Sequence, residues 1–191
     1  MHIAISTQIY QTMGRKLKNE ELGRKSLDEF KQSKKNPIVV VLDNVRSLNN
    51  IGSVFRSADA FSIEAVYLCG ITAQPPHREI QKTALGATES VSWTYFPDTK
   101  TAISALNEKE YVIISVEQAE KSVFLSHFQP EQNSKMAIVF GHEVKGVAQD
   151  IVDLSDTVLE IPQLGTKHSF NISVSVGIVL WDICSKLKVF S

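Results

Sequence analysis

Apolar and polar residues follow one another along this chain in blocks that predict strands and helices in turn. Residues 38–42 form a run of mostly β-branched residues directly after Pro37, which is typical of a buried strand. Residues 51–61 then indicate a helix. Further strands are predicted at residues 65–69, 91–96, 111–116, 136–140 and 157–161, and further helices at residues 79–85, 99–107 and 172–187.

This order of elements predicts an α/β domain with a mostly parallel sheet flanked by helices. The polar, charged residues 14–35 indicate one or two loosely packed helices, and residues 128–135 indicate a surface loop. We expect an N-terminal helical, basic extension over residues 1–36 and one domain over residues 37–191. In open parallel sheets, ligands bind beyond the carboxyl ends of the strands, so the segments that follow strands are the candidates for chemistry.

The first such segment contains Asn50, Gly52 and Arg56. We expect Asn50 to cap the following helix, and Gly52 to let another group approach its first turn. Two interpretations of Arg56 stay open. It is either a surface arginine paired with Asp59 or another acidic residue, or a bidentate hydrogen-bond donor that binds a phosphate.

The second segment, residues 141–146, reads Gly-His-Glu-Val-Lys-Gly. It is not a phosphate-binding P-loop, because that motif needs lysine followed by serine or threonine after its last glycine, and Val147 follows Gly146 here. It is not a zinc-protease helix either, because Gly146 replaces the second histidine. What remains is a glycine-flanked turn that presents the carboxylate of Glu143, with a solvated surface glutamate as the alternative.

The third segment, residues 161–171, leads into the last predicted helix. Ser169 and Asn171 stand at the start of that helix, where helix capping is the alternative to a functional role. Gly177 lies inside the helix, and a helical glycine costs about 1 kcal/mol relative to alanine. Its presence therefore suggests close packing of the helix against backbone or a ligand.

Charge, cysteine content and hydropathy indicate which partners, metals and location to expect. The net charge is −1, but residues 15–35 hold eight basic and four acidic side chains, which indicates either a phosphate-contacting arm or a solvated helix face. Cys69 and Cys184 have no partners at metal-ligand spacing, so we expect two reduced, mostly buried thiols and no metal. The N-terminus has no signal-peptide core and no apolar stretch is long enough to span a bilayer, so we expect a cytoplasmic protein without a membrane partner.

Together and in this order, the three segments resemble the motifs of the SpoU (TrmH-like) family of RNA ribose methyltransferases, in the SPOUT superfamily. That family carries Asn-x-Gly-x-x-x-Arg after its first strand, then Gly-x-Glu-x-x-Gly, then Ile-Pro…Ser-x-Asn-x-Ser-Val. The matching residues here are Asn50, Gly52 and Arg56; Gly141, Glu143 and Gly146; and Ile161, Pro162, Ser169, Asn171, Ser173 and Val174. The resemblance covers residues 37–187, nearly the whole chain.

The resemblance implies a fold whose C-terminal part is threaded into a deep trefoil knot. It implies a homodimer in which the arginine helix lies near the partner's cofactor site. The implied activity is S-adenosylmethionine-dependent methyl transfer to a ribose 2′-hydroxyl of tRNA or rRNA. The implied cofactor-binding residues are Val116, Glu117, Gly141, Glu143, Gly146, Ile161, Leu164, Ser169 and Asn171.

The implied catalytic residues are Arg56, Asn50, Glu143, Ser169 and Asn171. The family's arginine is proposed to act as the base, but a guanidinium stays protonated in proteins, so a phosphate clamp suits its chemistry better. Both roles stay open. The basic residues that we expect to contact RNA are Lys16, Lys18, Arg24, Lys25, Arg46 and Arg56.

Three positions depart from the family pattern. Phe170 stands where relatives often have leucine, and Gln163 and Leu164 follow the Ile-Pro pair, where relatives often have other residues. These changes could reshape the cofactor pocket.

The alternative function is a non-catalytic RNA-binding or ribosome-assembly factor that keeps the fold. The complete set of polar motif residues favours the enzyme. A nucleotide-binding protein unrelated to methylation would need a phosphate-binding fingerprint, and no G-x-G-x-x-G occurs in the chain.

Overall fold

The computed structural model describes residues 14–190, and the chain divides into two compact units after Gln32. The described part of the first unit holds a 3₁₀ turn, Asn19–Leu22, and a short helix, α1, Leu27–Gln32. Ser26 begins α1: its backbone amide donates to Glu29 at 2.7 Å, and the Glu29 amide donates back to the Ser26 hydroxyl at 3.3 Å. Of the predicted extension, residues 1–13 lie outside the described residues.

The second unit is built on a seven-stranded sheet in which all neighbouring strands are parallel. The strands are β1 Asn36–Asp43, β2 Ile63–Cys69, β3 Ser92–Phe96, β4 Val112–Val116, β5 Val123–Phe124, β6 Met136–Phe140 and β7 Thr157–Glu160. The helices are α2 Leu48–Ala60, α3 Arg78–Ala84, α4 Ala87–Ser90, α5 Thr99–Asn107, α6 Gln149–Val152 and α7 Ile172–Lys186. The strand order is β3-β2-β1-β6-β4-β7-β5, which confirms the α/β class and the mostly parallel sheet.

Strand β1 explains the layering, because its fully buried side chains alternate between the two faces of the sheet. Ile38 and Leu42 belong to one apolar cluster, which α2 and α7 cover. Val39 and Val41 belong to another, which α5 and α6 cover. Helices therefore flank the sheet on both faces, and the continuous apolar run of β1 reflects burial on both sides.

The structure adds three short elements that the apolar pattern does not reveal: β5, α4 and α6. It also corrects the start of α2. Ser47, not Asn50, is the N-cap, and its hydroxyl accepts a hydrogen bond from the Asn50 amide at 3.3 Å. The prediction that Asn50 caps this helix was wrong because the helix begins three residues earlier than expected.

Both cysteines are buried and unpaired. The prediction of two buried thiols is confirmed, and burial raises the pKa of the Cys69 thiol to about 12 and that of Cys184 to about 11. Among the described residues, no three potential ligand side chains group into a metal site. Within residues 14–190, every helix is too short or too polar to cross a membrane.

Gly52 confirms the predicted close approach to α2. A Cβ atom at this position would lie 2.1 Å from Thr83 Oγ1 and 2.2 Å from the Ile80 carbonyl oxygen, on α3. Gly177 shows no close packing within residues 14–190, because no group outside its own helix backbone and chain neighbours lies within 4 Å of a Cβ placed there. Packing among the described residues therefore does not explain its place in α7.

Gly52→Ala should destabilise the domain, because the new methyl group would clash with the backbone of α3. That helix could move away only by losing packing contacts of its own. We expect a loss of about 1–3 kcal/mol in the free energy of unfolding, measured by urea titration. Ser57→Ala, on the same helix, is the control and should change stability by no more than about 0.5 kcal/mol. Equal stability of the two variants would contradict the tight crossing of α2 and α3.

Candidate functional site

The strand order brings the three motif segments to one edge of the sheet. Strands β1, β6, β4 and β7 are consecutive neighbours, and all run in the same direction. Residues 44–50 follow β1, residues 141–148 follow β6 and residues 161–171 follow β7. Because carboxyl ends of parallel strands lie at the same edge, these segments meet there despite their distance in sequence.

A chain of side-chain hydrogen bonds connects one residue from each segment. The Asn50 amide nitrogen donates to Glu143 Oε1 at 3.2 Å, and the Asn171 amide nitrogen donates to Asn50 Oδ1 at 3.1 Å. Asn171 Oδ1 in turn accepts from the Ser173 amide at 2.9 Å and caps α7. We call Glu143, Asn50 and Asn171 the polar chain. Capping by Asn171 is thus confirmed, but the same side chain also binds another motif.

The Glu143 carboxylate faces the backbone just before α2. Its oxygens accept from the Ser47 amide at 2.8 Å and from the Arg46 amide at 3.1 Å. Burial by itself raises the pKa of Glu143, but the hydrogen bonds from Ser47, Arg46 and Asn50 outweigh burial and hold the pKa below its usual value. The alternative of a solvated turn glutamate is therefore wrong.

A cavity of about 550 Å³ opens beside the polar chain. Its walls are the turn after β6, the segment after β4 and the loop between β7 and α7. It is lined by Val116, Glu117, Gln118, Phe140, Gly141, His142, Glu143, Val144, Lys145, Gly146, Ile161, Gln163, His168, Ser169, Phe170, Asn171, Ile172 and Ser175. This is the size expected for a small-molecule or cofactor site.

The turn after β6 is compact because glycine stands at both of its ends. The backbones of His142 and Gly146 exchange hydrogen bonds at 3.0 and 2.8 Å. A Cβ on Gly141 would lie 2.1 Å from the carbonyl carbon of Gly146, so no side chain fits there. Gly146 itself has a φ of +69°, which favours glycine. The two motif glycines are therefore required by the shape of this wall.

Most of the implied catalytic and cofactor-binding residues lie together, but Asn50, Leu164 and Arg56 do not line the cavity, and neither do the expected RNA contacts such as Arg46. Asn50 contacts two of the lining residues, Glu143 and Asn171, in the polar chain. The Leu164 side chain is fully exposed and outside the lining. Arg46 and Arg56 are exposed outside the cavity, and neither forms an ion pair with an acidic residue in the described range 14–190. Asp59 instead accepts a hydrogen bond from Ser90, so pairing of Arg56 with Asp59 was wrong.

One buried carboxylate was not predicted as a site residue. Asp43 ends β1 and is 2% exposed. Its oxygens accept from the Thr99 hydroxyl at 2.6 Å and from the Ala148 amide at 3.1 Å. An aspartate directly after an apolar strand run was the available signal. Gln118, His142, Lys145 and His168 are further lining residues that the sequence patterns did not single out.

Glu143→Gln should weaken the site, because its amide group cannot accept from both backbone amides. We expect a loss of about 1–3 kcal/mol in unfolding free energy at neutral pH. Since the folded-state pKa is lowered, the wild-type advantage is present above the unfolded-state pKa of about 4.5 and is lost as pH falls through the folded-state pKa. Urea titrations at several pH values test this. A difference between the variants that persists unchanged to the lowest pH would contradict it.

Comparison with known proteins identifies relatives of this chain. A family model described as the SpoU rRNA Methylase family matches residues 37–181. The 23S rRNA (guanosine-2'-O-)-methyltransferase RlmB of Haemophilus influenzae is 28% identical over 166 residues, which cover 86% of this chain and 66% of the relative. The tRNA (guanosine(18)-2'-O)-methyltransferase of Borreliella burgdorferi is 27% identical over 153 residues, 80% of this chain and 68% of the relative. The chain thus spans about two thirds of the length of these relatives.

Solved structures show the same fold. The TrmH/SpoU tRNA modifying enzyme of A. aeolicus superposes with a TM-score of 0.75 at 21% identity, over 86% of this chain and 82% of that one. The AdoMet-bound rRNA methyltransferase of Sinorhizobium meliloti gives a TM-score of 0.74 at 23% identity, over 84% and 60%. With its family model matched over about three quarters of the length, this chain belongs to the SpoU rRNA methylase family.

Proposed function

We propose that this protein is an S-adenosylmethionine-dependent methyltransferase that acts on a ribose 2′-hydroxyl of tRNA or rRNA. The observation that carries the proposal is the polar chain, in which Glu143, Asn50 and Asn171 join the three family motifs beside one cavity. The Haemophilus and Borreliella relatives are both named as 2′-O-methyltransferases, of rRNA and of tRNA respectively. A non-catalytic RNA-binding protein would not need these side chains to converge beside a cavity.

The cavity suits S-adenosylmethionine in size and chemistry. Its volume lies within the range of cofactor sites, and it is walled by the two loops that the family resemblance assigns to the cofactor. Gly141, Gly146, Ile161 and Ser169 would hold the cofactor between these walls. When bound, S-adenosylmethionine supplies a methyl group on a positively charged sulfur.

The protein must then align a ribose hydroxyl and assist the loss of its proton. Arg56 is the candidate for alignment on the RNA side. It is exposed on α2 and has no ion pair among the described residues, so its guanidinium is available to a phosphate. We assign it the role of a phosphate clamp rather than that of a base, because a guanidinium retains its proton.

A second copy of the chain would complete the site. Arg56 does not line the cavity of its own chain, which favours a role at the cavity of another copy. An apolar groove along α7 is open on the surface, lined by Leu125, Ser126, Ile161, Pro162, Ser173, Val174, Gly177, Ile178, Trp181 and Asp182. Trp181 is 60% exposed in it. We propose that this groove packs against a second copy in an isologous homodimer.

Three further features belong to the same proposal. The C-terminal part, in which α7 packs against α2, would be threaded into the trefoil knot that the family resemblance implies. Residues 37–191 would form the methyltransferase domain of a cytoplasmic enzyme. Residues 1–36 would form a basic extension, in which Lys16, Lys18, Arg24 and Lys25 are exposed and would contact RNA phosphates. Arg46, in the second unit, would also contact a phosphate.

Methyl transfer is tested with unmodified tRNA and rRNA and labelled S-adenosylmethionine. A 2′-O-methyl group blocks alkaline cleavage, so labelled, alkali-stable dinucleotides are the expected product. Arg56→Ala should bind the cofactor with nearly wild-type affinity by calorimetry but lose methyl transfer by about 100-fold or more. Arg56→Lys should not restore activity, because a lysine ammonium cannot form the bidentate hydrogen bonds that a guanidinium makes with a phosphate. Full activity of Arg56→Ala would contradict the clamp.

The homodimer is tested by two matched substitutions. Val174 in the groove and Leu154 outside it are both 47% exposed. Val174→Asp should convert the protein to a monomer in light scattering and lower methyl transfer, whereas Leu154→Asp should leave both unchanged. Dimers that persist in Val174→Asp would show that this groove is not the interface.

Mixing experiments test whether Arg56 serves the partner's cavity. Arg56→Ala and Asn171→Ala should each be inactive alone. After subunit exchange, half of the dimers are mixed and each has one complete site, so the equimolar mixture should recover about a quarter of wild-type activity. No recovery would place Arg56 at the cavity of its own chain.

A further inference from the structure

Strand β4 lies between the two strands that carry the cavity loops. Its neighbours are β6, which leads into the turn at residues 141–146, and β7, which leads into the loop at residues 161–171. The residues that follow β4 therefore emerge between the two loops. These residues are Glu117 and Gln118, and neither belongs to the three family motifs.

Glu117 binds the loop on one side. Its Oε2 accepts from the Val147 amide at 2.9 Å, and its Oε1 accepts from the Gln118 amide at 2.9 Å. The approach is close, since a Cβ on Gly146 would lie 2.1 Å from Glu117 Oε2. The absence of a side chain at Gly146 thus gives this carboxylate direct access to the backbone of the turn.

Gln118 binds the loop on the other side. Its amide nitrogen donates to the carbonyl oxygen of His168 at 3.0 Å. His168 lies one residue before Ser169, within the wall of the cavity. Two adjacent residues, one with an acceptor side chain and one with a donor, therefore hold the two cavity walls.

We infer that Glu117 and Gln118, which we call the β4 clasp, are positioning residues that hold the two cofactor loops at the separation that S-adenosylmethionine requires. This inference rests on the proposed function. The clasp pre-organises the cavity, so that binding does not have to order both loops. Glu117 also lines the cavity, but each of its oxygens accepts a hydrogen bond from a backbone amide, so the role assigned to it is to hold the turn.

The test compares Glu117→Ala and Gln118→Ala with Glu120→Ala, an exposed glutamate in the same segment. S-adenosylmethionine affinity is measured by calorimetry, and KM and kcat by methyl transfer. We expect the Kd and KM for S-adenosylmethionine to rise about tenfold in Glu117→Ala and about fivefold in Gln118→Ala. The kcat at saturating cofactor should stay within about twofold of wild type, because the lost interaction precedes the chemical step. Glu120→Ala should match wild type throughout.

Hydrogen exchange without cofactor separates positioning from direct contact. The Val147 amide should exchange faster in Glu117→Ala, and residues 163–168 should exchange faster in Gln118→Ala. Weaker binding with unchanged exchange would mean that Glu117 contacts the cofactor itself, which overturns the inference. Unchanged binding in both variants also overturns it.

A conservative variant keeps the clasp testable if the alanine variant does not fold. Glu117→Gln keeps one acceptor oxygen, so it should fold even if Glu117→Ala does not and should weaken binding about threefold. Wild-type affinity in a folded Glu117→Gln would count against the clasp. Failure of the wild-type protein to bind S-adenosylmethionine would instead overturn the proposed function, and the exchange measurements would still test the clasp.

Discussion

The hydrogen bonds that Asn50 makes to Glu143 and to Asn171 hold three distant parts of the chain at one point. The partners are 93 and 121 residues away in sequence. Asn50 is only 9% exposed, so its amide group must find partners within the protein, and one amide satisfies both a carboxylate and a second amide. The start of α2, the turn after β6 and the start of α7 are therefore positioned together, and the cavity beside them takes its shape from that arrangement.

The parallel sheet makes this convergence possible. The order β1-β6-β4-β7 places four strand ends side by side, so each following segment contributes to one site. Carboxylates then fasten the turn after β6 at successive amides: Glu117 accepts from Val147, and Asp43 accepts from Ala148. A wall held in this way needs little reorganisation when a ligand enters, which is how a rigid α/β scaffold supports a site built from loops.

Local patterns predicted the elements that have strong local signals. The alternation of apolar strand runs such as β1 with helical segments was sufficient for the fold class, and Gly52 was correctly interpreted as a close approach. The N-cap of α2 was missed because Ser47 and Asn50 are both good capping residues and only the backbone path distinguishes them. The roles of Glu117 and Gln118 depend on the strand order, which no local pattern encodes, and β5 is too short to give a periodic signal.

The most direct test of this account is a double-mutant cycle between Asn50 and Asn171. Unfolding free energies of wild type, Asn50→Ala, Asn171→Ala and the double variant are measured by urea titration under identical conditions. If the polar chain joins the segments, the loss in the double variant should be smaller than the sum of the single losses, with a coupling of about 0.5–3 kcal/mol. Losses that add to within about 0.3 kcal/mol would contradict the account, because the two side chains would then act independently.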